Sequence, residues 1–238
     1  MLLTSVSLRT VKNFFSESIK IKGMIISKLH YISQGNSPDE HLLNIQNACT
    51  AGIELVLLGF NDASEKEIEE LAKEARKITS HFQTRLMIDD HYALAKEIKA
   101  DGVYLTTTTL SPTFVREQLY SWQIVGATAN TIQECEKLLA DEVDYISLDP
   151  FKIEESDTEI ANSVLGLNGY TLITEALNTE TPIVAFGAIT TDDVKDLLET
   201  GISGIAVSTE ITRNFNTIRT FNELLNASVT QEQRHTFK

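Results

Sequence analysis

Eight short apolar runs recur along the 238-residue chain, each followed by a helical pattern. This alternation constrains the fold more than any other feature. The runs are 29–33, 53–59, 84–89, 102–105, 123–127, 143–149, 182–187 and 204–208. Most are continuously apolar, as expected of strands buried on both faces of a parallel sheet. Helix signals separate them. Ser37-Pro38-Asp39-Glu40 and Ser64-Glu65-Lys66-Glu67 read as capping boxes, the first with proline at the opening helical position. After the second, Ile68, Leu71, Ala72, Ala75 and Ile78 form one apolar stripe. Asn130 with Gln133 and Thr190 with Asp193 open two further helices. Ala51-Gly52, Ala100-Asp101-Gly102 and Thr200-Gly201 close helices just ahead of strands.

Eight strand–helix repeats predict one parallel α/β domain, a closed (β/α)8 TIM barrel, with an open doubly wound sheet as the alternative. The dinucleotide fingerprint of the open sheet, G-x-G-x-x-G, is absent. The barrel is expected over 24–227, after an N-terminal extension of 1–23 and before a polar tail of 228–238. No apolar run approaches the ~18 residues of a membrane helix. The 34 acidic residues against 20 basic ones give a formal charge of −14, which disfavours nucleic acid and anionic membrane surfaces as partners. Cys49 and Cys135 lie in helical patterns and form neither a disulfide framework nor a zinc spacing. The start lacks a basic-then-apolar signal pattern, so a cytoplasmic location is expected.

In a barrel the chemistry sits where strands end. Asp89-Asp90-His91 closes the third run. Paired carboxylates there suit a divalent cation or acid–base work; otherwise Asp90 caps the next helix. The fourth run ends in Thr106–Thr109, with no carboxylate to complete a metal site. Gly187-Ala188-Ile189-Thr190 and Ser208-Thr209 end the last two runs. Backbone N–H groups at two helix starts make these a candidate phosphate site, against the plainer reading of tight turns. Glu210 would oppose an anion if it pointed inward. His30, within the first run, is as readily a packed histidine as a functional one, and Tyr120 and Trp122 read as packing at the opposite end. The starts of the sixth and seventh runs, Val143 and Pro182, are 39 residues apart. The excess, 151–165, predicts a long loop over the mouth.

Several stretches are similar in order and spacing to the thiamine phosphate synthase family, which includes the related thiazole tautomerases. They are Leu29-His30-Tyr31-Ile32-Ser33, Ala100-Asp101-Gly102-Val103-Tyr104-Leu105, Ser111-Pro112 with Arg116, Val125-Gly126-Ala127-Thr128-Ala129-Asn130-Thr131 and Val143-Asp144-Tyr145-Ile146. Beyond them come Leu165-Gly166-Leu167-Asn168-Gly169-Tyr170, Pro182-Ile183-Val184-Ala185-Phe186-Gly187-Ala188-Ile189 and Gly204-Ile205-Ala206-Val207-Ser208. The resemblance spans about 24–212 and implies the eight-stranded barrel. It also implies an enzyme of thiamine biosynthesis, a transferase that joins a hydroxymethylpyrimidine diphosphate to a thiazole phosphate and releases pyrophosphate.

By this resemblance the partners are small phosphorylated thiazole and pyrimidine ligands, with a homo-oligomer left open, and the cofactor is a magnesium ion held by Asp90. Asp89, Asp90, Thr128 and Lys152 fall at or near catalytic positions. Gly187, Ala188, Ser208 and Thr209 match the phosphate-binding ones. Elsewhere the chain departs from the family. Leu57, Gly59 and Asn61 stand where it has glutamine, arginine and lysine. Thr109 stands for a second metal aspartate, with Thr106 and Thr107 before it replacing a glycine and a polar or basic residue. Phe151-Lys152-Ile153-Glu154-Glu155-Ser156-Asp157 stands for a threonine-rich segment ending in lysine. The thiazole-phosphate side is kept and the pyrophosphate side has lost its cations. Three functions follow: a synthase of weak or altered activity; a tautomerase-like enzyme using His91, Asp90 or Glu154; or a non-catalytic barrel that binds a phosphorylated ligand or a protein.

Overall fold

The eight runs pair in chain order, β1 to β8, and β1 pairs with β8 to close a parallel barrel. This arrangement comes from a computed structural model, which describes residues 26–59, 64–106, 110–153 and 164–235. The extension 1–23 lies outside the described residues. The strands are β1 (Leu29–Ile32), β2 (Leu55–Leu58), β3 (Arg85–Asp89), β4 (Gly102–Leu105), β5 (Ile124–Ala129), β6 (Tyr145–Leu148), β7 (Ile183–Phe186) and β8 (Gly204–Val207). Between them run α1 (Pro38–Thr50), α2 (Glu65–Phe82), α3 (Tyr92–Glu97), α4 (Pro112–Gln118), α5 (Ile132–Ala140), α6 (Gly166–Leu177) and α7 (Val194–Glu199). After β8 come α8 (Thr209–Arg213) and α9 (Thr217–His235), so helix continues past residue 228. Among the described residues no helix is long and apolar enough to cross a membrane.

Capping chemistry fixes most helix starts. Ser64 and Glu67 form a full capping box at α2. Ser37 accepts from the Glu40 N–H, but the Glu40 carboxylate turns back to Asn36 instead of Ser37. Two expected punctuation marks shift. The cap of α5 is Thr131, which accepts from the Glu134 N–H; Asn130 instead donates its N–H to the Glu134 carboxylate. At the end of α3, Lys99 takes the left-handed turn at φ 53°, and Gly102 is already in β4.

The strands are buried on both faces, which is why they read as unbroken apolar runs. Leu29, Tyr31, Val56, Leu58, Leu86 and Ile88 pack outward against helices. Leu55, Leu57, Met87, Tyr104, Ile124, Tyr145, Val184 and Ala206 fill the interior. An aromatic series crosses that interior. His30 meets Tyr145 edge to face at 5.2 Å, Tyr145 stacks on Tyr104 at 6.1 Å, and Tyr104 on Phe186 at 6.2 Å. Gly126 makes room for it: a β-carbon there would stand 2.2 Å from Tyr145 Cζ. His30 is packed rather than functional. Its Nε2 hydrogen-bonds the Ser27 carbonyl at 2.9 Å, and burial lowers its pKa to about 4.

Two matching clamps hold the opposite end of the barrel. Asp101, just before β4, accepts from Arg76 of α2 at 2.6 Å and from the Leu86 N–H at 2.8 Å. Asp144, just before β6, accepts from Arg116 of α4 and from the Val125 N–H at 2.7 Å. Each carboxylate ties a helix to a neighbouring strand. Tyr120 and Trp122 lie at this end too, but their rings stack on each other at 5.7 Å and stay exposed.

Gly126→Ala should destabilise the fold by about 1–3 kcal/mol through overpacking. Tyr145→Phe should be neutral or stabilising, because the Tyr145 hydroxyl is buried without a hydrogen-bond partner among the described residues. Thermal denaturation of the two variants checks both.

Candidate functional site

The mouth is built from the last residue or two of each strand. β3 ends in Asp89, whose carboxyl is mostly buried and whose Oδ1 has no hydrogen-bond partner among the described residues. Burial, with the adjoining Asp90 charge second, pushes the Asp89 pKa up to about 7. Asp90 follows in the left-handed region at φ 49°, unusual for a non-glycine residue. Thr106 holds its carboxylate there. The Thr106 N–H donates to Oδ1 at 3.0 Å and the Thr106 hydroxyl donates to Oδ2. His91 opens α3, with Nδ1 2.7 Å from the Asp89 carbonyl.

β4, β5 and β6 meet in a knot of hydroxyls. Burial raises the Tyr104 pKa, and the neighbouring Ser147 and Thr128 hydroxyls oppose that rise. Asp89 and Asp149 both add to that rise by charge, so the two carboxyls stand near one phenol. Asp149, directly after β6, is held up to about 6 by burial alone. Sequence reasoning missed it, since Asp-Pro reads as a turn opener. Thr128 and Asp89 both stand near the Tyr104 phenol.

Lys152 lies elsewhere. Its ammonium pairs with Asp193 and sits 5.0 Å from the Phe151 ring centre. Asp193 in turn accepts from the Thr190 N–H, which joins the β6 and β7 loops. Gly187, at φ 131°, lets those loops touch: a β-carbon there would lie 2.7 Å from the Lys152 carbonyl oxygen. That carbonyl accepts from the Ala188 N–H at 2.9 Å, and the Gly187 carbonyl accepts from Ile189 at 2.8 Å. Of the expected phosphate donors, the Ala188 N–H is thus already engaged.

Across the gap, Gly187–Thr190 and Val207–Glu210 enclose a cavity of about 80 Å³. One water needs roughly 10–15 Å³ of such space, so the cavity has room for a phosphoryl-sized group. Ser208 and Thr209 line it, and Gln34 donates to the Thr209 hydroxyl at 3.2 Å. Arg213 also lines it and makes no ion pair among the described residues, with Glu210 nearby on the same wall. Arg213 lies in a helical pattern beyond the last strand, so spacing alone did not single it out. A surface cavity of about 560 Å³ lies away from the mouth between α2 and α3, where Lys73 already pairs with Glu69 and Glu97.

A magnesium ion fits this mouth as a site of one or two carboxylates completed by substrate phosphates and water. Asp90 keeps unused oxygen lone pairs, and the orphaned Asp89 Oδ1 is a second hard donor. It does not fit as an all-protein cage, since no group of three or more His, Cys, Asp or Glu residues gathers among the described residues. Asn61, Thr109, Glu154, Glu155 and Asp157 lie outside those residues.

A family model described as thiamine monophosphate synthase matches residues 29–211. A thiamine-phosphate synthase of Flavobacterium psychrophilum is 36% identical over 201 residues, covering 83% of this chain and 97% of the relative. One from Flavobacterium johnsoniae is 34% identical over 209 residues, covering 85% and 98%. The thiamine phosphate pyrophosphorylase structure from Pyrococcus furiosus superposes with a TM-score of 0.69 at 24% identity, covering 86% of this chain and 96% of that one.

A raised carboxyl pKa carries a definite pH signature. The folded state holds protons on Asp89 and Asp149 that the unfolded chain has already lost, so this contribution to stability declines as pH rises from about 4 to 7. Asp89→Asn should therefore be more stable than the parent at pH 8 and should lose that advantage by pH 4. Each pKa unit is worth about 1.4 kcal/mol, so a difference above ~1 kcal/mol is expected in urea melts at the two pH values.

Proposed function

The chain belongs to the thiamine monophosphate synthase family, and from that premise we propose that it joins a hydroxymethylpyrimidine diphosphate to a thiazole phosphate, slowly. In this reaction the C–O bond to the diphosphate breaks, the thiazole nitrogen forms the new C–N bond, and pyrophosphate leaves. The observation that carries the reading is the 80 Å³ cavity between the β7 and β8 loops, lined by Ser208, Thr209 and Arg213, which has no ion-pair partner among the described residues. It suits the single phosphate of the thiazole, with Arg213 supplying charge and Gln34 fixing the Thr209 hydroxyl. Thr128, near the end of β5, stands beside the Tyr104 phenol on the strands between that cup and β3.

The leaving group is the weak point. A departing pyrophosphate develops charge that fixed cations stabilise strongly in a water-poor site. Magnesium, when bound, takes up part of that charge, and Asp90 with Asp89 would hold it. On the β2 side Gly59 offers no side chain, and its β-carbon position lies 3.7 Å from Asp89 Oδ2. An arginine there would pair with Asp89, lower its pKa and leave a cation at the mouth. Lys152, tied to Asp193 and half exposed, is a partial substitute.

Two measurements test the reading. Inorganic phosphate titrated calorimetrically at low salt should bind, and Arg213→Gln should weaken that binding by about tenfold, one charge-assisted hydrogen bond being worth roughly 1.5–3 kcal/mol. Pyrophosphate release with both substrates and saturating magnesium should be detectable but slow. Gly59→Arg, Asn61→Lys and Thr109→Asp together should raise it at least tenfold, each tenfold step corresponding to about 1.4 kcal/mol of barrier. Fast turnover by the parent chain would refute the charge-poor leaving-group site.

A further inference from the structure

The cavity between the β7 and β8 loops takes Thr209 and Arg213 from α8. That helix has five residues and no side-chain cap at its start. A helix so short is not stable by itself and depends on tertiary contacts. Ile211, fully buried, holds it to the barrel, but one buried side chain fixes a distance and not a rotation. The first strand and its loop supply what is missing. Tyr31, 0% exposed on the outer face of β1, shares a hydrogen bond with the Thr212 hydroxyl at 2.9 Å. Its ring meets Phe215, just past α8, edge to face at 6.2 Å. Gln34, two residues beyond β1, donates its amide N–H to the Thr209 hydroxyl at 3.2 Å.

The direction of each bond follows from counting protons. Thr212 gives its one hydroxyl proton to the Ser208 carbonyl at 3.1 Å, so it accepts from the Tyr31 phenol. Tyr31, Thr212 and Ser208 thus form one chain that tethers α8 and the residue before it. Thr209 accepts from an N–H group, which leaves its own proton to donate elsewhere. A phosphate oxygen only accepts, so it is the partner such a hydroxyl needs. Gln34 works from a firm base: Asn44, buried in α1, donates to its carbonyl at 2.9 Å. A binding side chain reaches full strength only where its support holds it in place. We infer that Tyr31 and Gln34 are positioning residues, which set α8 so that Arg213 and the Thr209 hydroxyl meet a phosphoryl group in the cavity. This rests on the reading of that cavity as the seat of the thiazole phosphate. Neither residue is among those that line it.

The probe is inorganic phosphate, titrated calorimetrically into the full chain at low salt. Tyr31→Phe keeps the ring and removes one hydroxyl; Gln34→Met keeps the length and removes the amide. Each should weaken phosphate binding about three- to tenfold, the worth of one ordinary hydrogen bond, with the circular dichroism spectrum unchanged. Double-mutant cycles separate positioning from a general loosening of the fold. Tyr31→Phe should cost less than about twofold in an Arg213→Gln background, and so should Gln34→Met in a Thr209→Val background. With both substrates and magnesium, KM for the thiazole phosphate should rise by the factor seen for phosphate, while kcat and KM for the pyrimidine diphosphate hold. Parent-like phosphate affinity in folded Tyr31→Phe and Gln34→Met overturns the positioning role and leaves the cavity reading intact. Equal losses in the parent and in the Arg213→Gln and Thr209→Val backgrounds overturn it too, as does a shared rise in KM for both substrates. No phosphate binding by the parent overturns both readings. Weakened phosphate binding in the two variants, with no turnover by any form, supports the positioning role and overturns the synthase reading.

Discussion

The packing of Tyr145 over Gly126 is the constraint on which the mouth depends. A small barrel must fill its own interior. Here the filling is aromatic: one large ring occupies the space of a missing side chain on the next strand. Tyr104 stacks beside that ring and Phe186 lies parallel to Tyr104. The floor of the site is therefore a layer of rings edged with hydroxyls. Polar atoms within it are desolvated, and the carboxyls at its rim hold their protons to unusually high pH.

Charge divides the mouth into two halves. Around β7 and β8 a small cavity meets Arg213, which suits one phosphoryl group. Around β3 and β6 stand Asp89, Asp90 and Asp149, and Lys152 is turned aside to Asp193. Coulombic interactions are strongest where water is scarce, so this asymmetry weighs on the leaving diphosphate more than on the thiazole phosphate. A net charge of −14 adds a background field of the same sign.

The barrel itself was legible in the sequence because burial on both strand faces writes itself as unbroken apolar runs, and each of the eight expected runs contains or overlaps a strand. Helix ends were legible to within a residue or so. Asn130 and Thr131 are both cap-forming types with an acceptor three residues on, and only tertiary packing chooses between them. Lys99 in the left-handed turn had no signal, because Gly102 advertised the turn more strongly. The site was legible only in part. Asp89, Asp90 and Thr128 announce themselves by sitting at strand ends. Asp149 hides in a turn dipeptide, and its raised pKa comes from burial; Arg213 hides in a helical repeat, and its interest comes from the cavity it lines. Spacing along the chain encodes neither property.

The Asp101 and Asp144 clamps lie at the end of the barrel away from the mouth, each gripping an arginine and a neighbouring strand's N–H. Half-buried pairs that also satisfy backbone donors are hard to replace one partner at a time. Rim residues such as Gly59 and Asp149 carry no comparable duty in holding strands together. The architecture thus separates heritable scaffold from negotiable rim. A lineage can exchange cations for acids at the mouth while its register and closure stay intact, so likeness of fold within such a family outlasts likeness of catalytic rate.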